Sequence, residues 1–151
     1  MSDIVTASHV FLDNPATSVD EVLKFFSDKA IELGVANDAA VVLDAYKARE
    51  AEGTTGMMGG FAIPHCKSDI ISEATILVAK FSGSVEWASM DGEPIKCAIS
   101  LLIPTVESGS THLTLLSKIA VMLMDEGFRA SVLATDDADK IAALINEGLA
   151  E

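Results

Sequence analysis

Cations, cysteines and long apolar runs are all in short supply in this chain. Lys and Arg together number 10 against 23 Asp and Glu, a formal charge of −13, and the sequence pI is near 4.4. That surplus of carboxylates would repel phosphate backbones and anionic lipid, so nucleic-acid binding and direct membrane insertion are not expected. Two cysteines, Cys66 and Cys97, are too few for a disulfide framework. The longest apolar runs, residues 98–103 and 119–124, fall well below the roughly 20 residues that span a bilayer. The opening Met1-Ser2-Asp3-Ile4 lacks the charged-then-apolar pattern of a signal peptide, which sets the expectation of a cytoplasmic protein. Neither a Walker-A loop nor a dinucleotide fingerprint occurs, and residues 53–60 match neither.

What the chain does have is apolar bulk. It has 151 residues, 50% of them hydrophobic, with a mean hydropathy of +0.38. A chain this long buries roughly two thirds of its unfolded surface and needs no metal or disulfide staple. No linker or repeat divides it, so residues 1–151 are expected to form one domain.

Local signals give an order of elements. Ser18 and Glu21 have capping-box spacing ahead of Val22, Leu23, Phe26, Ala30 and Leu33, predicting a helix over 18–33 stopped by Gly34. A second helix is predicted from about Asn37 to Glu52, turning Val41, Val42, Ala45, Tyr46 and Ala48 inward, with Gly53 as its stop. Residues 53–60 form a glycine-rich loop suited to close backbone approach. Pro64 forces Ile63 toward extended geometry, placing His65 at the end of a short strand. The β-branched runs 74–81 and 95–103 read as buried strands, separated by a segment holding Trp87 and the turn signal Asp91-Gly92. A helix follows Ser108-Gly109-Ser110-Thr111 and is expected to stop at Gly127. A last helix, capped by Asp136 or Asp137, runs over 138–147 to Gly148, and weak strands are possible at 4–7 and 131–134. The pattern predicts an α/β fold with a mixed sheet covered by helices.

His65 is the residue most suited to chemistry. A flexible glycine pair, Gly59-Gly60, and the stiff Phe61-Ala62-Ile63-Pro64 segment would aim its imidazole in one direction. From spacing alone, a strand-end histidine satisfying backbone groups fits equally well. His112 falls in a helical first turn, where it is either an ordinary surface residue or a neutral ring beside free N–H groups that bind an anion. Arg49 is either an exposed helix-end charge or a planar fork for phosphate. Cys66, alternating with His65 along an extended segment, reads as packing, and Cys66, Cys97 and the histidines lack metal-ligand spacing. No cofactor is implied. The methionines read as core filler, with Met57 and Met58 as an adaptable contact surface.

Taken together, Arg49-Glu50, Thr54-Thr55-Gly56, Gly60-Phe61-Ala62-Ile63-Pro64-His65, Trp87 with Asp91-Gly92, and His112-Leu113 to Leu116-Ser117 resemble the enzyme IIA component, fructose/mannitol class, of the bacterial sugar phosphotransferase system. The resemblance runs from about Ile4 to the last helix. It implies a mixed five-stranded sheet with helices on both faces. It also implies a phosphoryl carrier whose His65 accepts phosphate from phospho-HPr and passes it to a cysteine of the IIB component, meeting the membrane IIC component only indirectly. Under the same resemblance Arg49 and His112 hold phosphate oxygens. Glu50, Thr54, Thr55 and Gly60 are expected to support the site, and Met57, Met58 and Phe61 to form an apolar rim that shields it and docks a partner. A nitrogen-type regulatory module, whose phosphorylation switches protein contacts without sugar transport, is the alternative. The chain departs from the family pattern at Met58-Gly59, where Gly-Asn is frequent, and at Cys66, where glycine usually follows the histidine.

Overall fold

The computed structural model describes residues 5–105 and 110–150, without the side chains of residues 110–113. Its elements are β1 (Val10–Asn14), α1 (Val19–Glu32), α2 (Ala39–Glu52), β2 (Phe61–Ala62), β3 (His65–Ser68), β4 (Thr75–Val85), β5 (Ile95–Pro104), α3 (Ser110–Met124), α4 (Glu126–Ala134) and α5 (Ala138–Ala150). The strands make one mixed five-stranded sheet, sandwiched between helices in three layers. β4 and β5 pair antiparallel at its centre. β1 runs parallel to β4, while β2 and then β3 run parallel to β5 on its other side. β3 is therefore an edge strand among the described residues.

Alternation along the central strands divides the core in two, because successive strand residues point to opposite faces. Ile76, Val78, Cys97, Ile99, Leu101 and Ile103 face α3, α4 and α5. Leu77, Ala79, Ala98 and Leu102 face α1 and α2. On that second face the buried Tyr46 hydroxyl lies 2.5 Å from Ser100 Oγ, joining α2 to the middle of β5.

Caps account for where the helices begin. Ser18 Oγ accepts the Glu21 amide at 3.2 Å. The Glu21 carboxylate reaches back one residue further than a capping box requires, to the amide and hydroxyl of Thr17. α1 ends at Gly34, whose φ of 76° lets Val35 N–H fold back to Ala30 O. Asp38, one residue past the predicted start, caps α2 through the amides of Ala40 and Val41.

Several expectations are corrected. Val41 and Ala48 are exposed, because α2 buries only Val42 and Tyr46 on the sheet. The first strand is Val10–Asn14 and not residues 4–7, of which residue 4 lies outside the described residues. Gly127 stops nothing. Asp125 Oδ1 accepts the amides of Gly127 and Phe128 and restarts the chain as α4, so residues 131–134 are helical, with Val132 in the core. Gly148 lies inside α5, where a Cβ would come within 2.6 Å of the Met122 thioether. Its missing side chain serves close packing of α5 on α3.

Candidate functional site

One face of α2, built by Ala45, Ala48, Arg49 and Glu52 at helical spacing, meets the start of β3. Together with His65 and Lys67 these residues line a hollow of about 320 Å³. Cys66 points into the core under α1 and α2. Strand alternation then puts His65 and Lys67 on the side opposite to it.

His65 is only 8% exposed, and its ring is held at both nitrogens. Nδ1 lies 2.9 Å from the carbonyl oxygen of Ile63, and Arg49 donates Nε–H to Nε2 at 2.8 Å. A carbonyl only accepts and a guanidinium only donates, so the proton must sit on Nδ1 and the lone pair on Nε2. The imidazole is thus neutral, in one tautomer, with its nucleophilic nitrogen beside a cation. Arg49 is itself steadied by a 2.8 Å bond from Nη1 to Gly53 O. Pro64 lacks an N–H, but its carbonyl still accepts Leu101 N–H, which ties the segment to β5.

Glu50 is next to Arg49 on α2 but points to the loop. Its carboxylate accepts the Thr55 hydroxyl, the Thr55 amide at 3.3 Å and the Trp87 indole N–H at 3.4 Å. Thr54 Oγ1 donates to Ala88 O and accepts Gly56 N–H. Gly59 N–H donates to Asp91, and Met57 N–H to Phe61 O. The amides of Gly59 and Glu93 hold the Asp91 carboxyl below the usual carboxylate range. Gly60, at φ 86°, turns its carbonyl to the amides of Lys96 and Cys97.

The glycine-rich loop therefore makes its close approaches to the protein itself. A Cβ on Gly56 would meet the Ala88 carbonyl, and one on Gly59 the Arg129 side chain. The amides of residues 55, 56, 57 and 59 are engaged internally, which removes them as phosphate donors. Of the expected apolar rim, Phe61 is corrected. Phe61 has no exposed surface and belongs to the core, with Met57 half-buried against it. Met57 and Met58 do not line the hollow.

His112 falls in the first turn of α3, and its side chain lies outside the described residues. Lys67 lines the same hollow as His65 and was not singled out from the sequence. The available signal was its position two residues beyond His65 in an extended segment.

The thiols are inert. Burial pushes Cys66 and Cys97 each up to about 12, and they lie in the cores on opposite faces of the sheet. Among the described residues no group of three His, Cys, Asp or Glu comes together as a metal site. No helix among them is long and apolar enough to cross a membrane.

Comparison with known proteins adds the chemistry that this geometry suits. Residues 3–148 match the family described as "Phosphoenolpyruvate-dependent sugar phosphotransferase system, EIIA 2". The chain is 30% identical over 147 residues to a PTS system fructose-specific EIIA component of Haloferax volcanii, covering 97% of this chain and 95% of that one. Among solved structures, the nitrogen regulatory protein IIA-Ntr of Neisseria meningitidis superposes with a TM-score of 0.87 at 27% identity, covering 94% of this chain and 96% of that one. The Escherichia coli enzyme IIA for mannitol, solved in complex with phosphorylated enzyme IIB, shares the fold at a TM-score of 0.79 and 17% identity, over 93% of this chain and 96% of that one.

Proposed function

Because the chain belongs to the EIIA type 2 family of the phosphoenolpyruvate-dependent sugar phosphotransferase system, we propose that His65 is the residue on which it carries the phosphoryl group, and that Nε2 is the atom. The observation behind this reading is the pair of bonds on the ring, Nδ1–H to Ile63 O and Arg49 Nε–H to Nε2. Phosphoryl transfer asks little of a protein beyond positioning and charge stabilisation, and this arrangement supplies both.

The donor in this reading is phospho-HPr, carrying a phosphoimidazolium. The Nε2 lone pair attacks phosphorus as Arg49 Nε–H leaves it for a phosphoryl oxygen. The Nε2–P bond forms, the donor N–P bond breaks, and its electron pair stays on the departing neutral imidazole. His65 keeps its Nδ1 proton on Ile63 O, so the positive charge it gains faces a carbonyl dipole. Onward transfer reverses the step: a thiolate of the IIB component attacks phosphorus and the pair returns to Nε2. Arg49 and His112 are the groups proposed to hold phosphate oxygens, with the chain acting in the cytoplasm to serve uptake of a sugar or polyol.

A second reading, favoured by the likeness to the Neisseria protein, is a regulatory module in which the same phosphorylation switches protein contacts. Incubation with phospho-HPr should give a phosphoramidate resonance in phosphorus NMR, and His65→Ala should abolish it. A labelled His65→Ala protein would remove His65 as the carrier. Delivery of the label to a IIB domain favours transport, and retention of label in its presence favours regulation.

A further inference from the structure

We propose that Lys67 is a catalytic residue of this site, taking a phosphoryl oxygen from the strand side while Arg49 takes another from the helix side. The inference rests on His65 being the carrier. Only ten cationic side chains exist in a chain of 23 carboxylates, yet two of them, Arg49 and Lys67, line a single hollow with the imidazole. The Arg49 guanidinium is directed at Nε2 and at Gly53 O. Lys67 is exposed and makes no hydrogen bond or ion pair among the described residues, although Glu52 lines the same hollow. It is thus an ammonium beside a nucleophile with no acceptor of its own.

A dianionic phosphoryl group on Nε2 would supply that acceptor. Helix α2 presents Arg49 from one wall, and β3 presents Lys67 from the other through its register with His65. Lysine suits this position because its flexible stem and compact charge can follow a group that arrives and leaves. Two cations on separate elements also stabilise charge that builds on oxygens as the N–P bond is exchanged, where an electrostatic contact contributes most.

The test uses the full chain, two donors and three variants. Phosphoramidate is a small donor with no protein surface. With it, Lys67→Gln should phosphorylate His65 about tenfold more slowly than the parent chain, Lys67→Arg should recover most of the rate, and the salt dependence should flatten in Lys67→Gln. The same loss should appear with phospho-HPr. A Lys67→Gln rate equal to the parent's with phosphoramidate overturns the inference. If the loss appears with phospho-HPr alone, Lys67 contacts the partner and not the phosphate, which also overturns it. His65→Ala separates the two levels: label on that variant refutes the carrier assignment, whereas its absence together with an unaffected Lys67→Gln refutes Lys67 alone.

Discussion

Replacing Glu50 by Ala should both destabilise the fold and slow phosphoryl transfer, although Glu50 touches neither His65 nor the hollow. Its carboxylate is the shared acceptor for the Thr55 hydroxyl, the Thr55 amide and the Trp87 indole. A hydrogen bond to a charged group contributes about 1.5–3 kcal/mol. The two N–H contacts, at 3.3 and 3.4 Å, are long and add about 0.5 kcal/mol each. Thr55 is 4% exposed and Trp87 7%, so water cannot readily replace the lost acceptor. The sum is about 3 kcal/mol, which for a chain of this size lowers Tm by about 6–12 °C. Because the loop carries Gly53 O, the anchor for Arg49, transfer to His65 should fall about tenfold when measured well below the new Tm. Glu50→Gln, which keeps one acceptor oxygen but brings an amide toward the same donors, should lose about half as much stability. Urea and thermal unfolding give the first quantity, and single-turnover labelling the second. A Glu50→Ala protein within 0.5 kcal/mol of the parent, or one transferring phosphate at the parent's rate, would refute the role of this anchor.

Three further outcomes are expected. Arg49→Lys should lose at least tenfold in transfer rate despite keeping its charge, because an ammonium cannot span both Nε2 and Gly53 O as the planar fork does; parental kinetics would disprove that geometry. Cys66 and Cys97 should resist Ellman's reagent at pH 8 in the folded protein and react fully in urea. Since folding raises both from 9.0 to about 12, the fold is favoured fully below pH 9 and loses that contribution between pH 9 and 12 as the unfolded thiols ionise; a flat alkaline stability profile would contradict this. Gly148→Ala should cost about 1 kcal/mol, since overpacking against Met122 outweighs the gain in helix propensity. In a Met122→Ala background the sign should reverse, and double-mutant unfolding curves without that reversal would discount the contact.

The helices were legible wherever a cap was local. Ser18, Asp38 and Asp137 each accept amides two or three residues ahead, so the signal lies within one turn of sequence. Gly127 misled because the same residue type stops one helix and opens another; the deciding partner was Asp125, two residues upstream. β1 was missed because its pairing is parallel and non-local, Val10 opposite Val78. Arg49 and His65, singled out by their chemistry and by family likeness, share one hollow and a hydrogen bond. Lys67 was not singled out, since its place two residues beyond His65 becomes a signal only once a strand register is assigned. The loop was read correctly as glycine-rich and suited to close approach, but a sequence does not reveal which backbone or side chain a glycine must make room for.

With His65 as the proposed carrier, the Ile63 carbonyl has a consequence for the chemical identity of the stored phosphate. An imidazole can form two regioisomeric adducts, one on each nitrogen, and the two differ in hydrolytic lifetime and in the reagents that recognise them. With one nitrogen committed to a main-chain oxygen two residues back, the proposed carrier role leaves only the other adduct to form. An antibody raised against the excluded isomer would be blind to this protein however fully it was loaded.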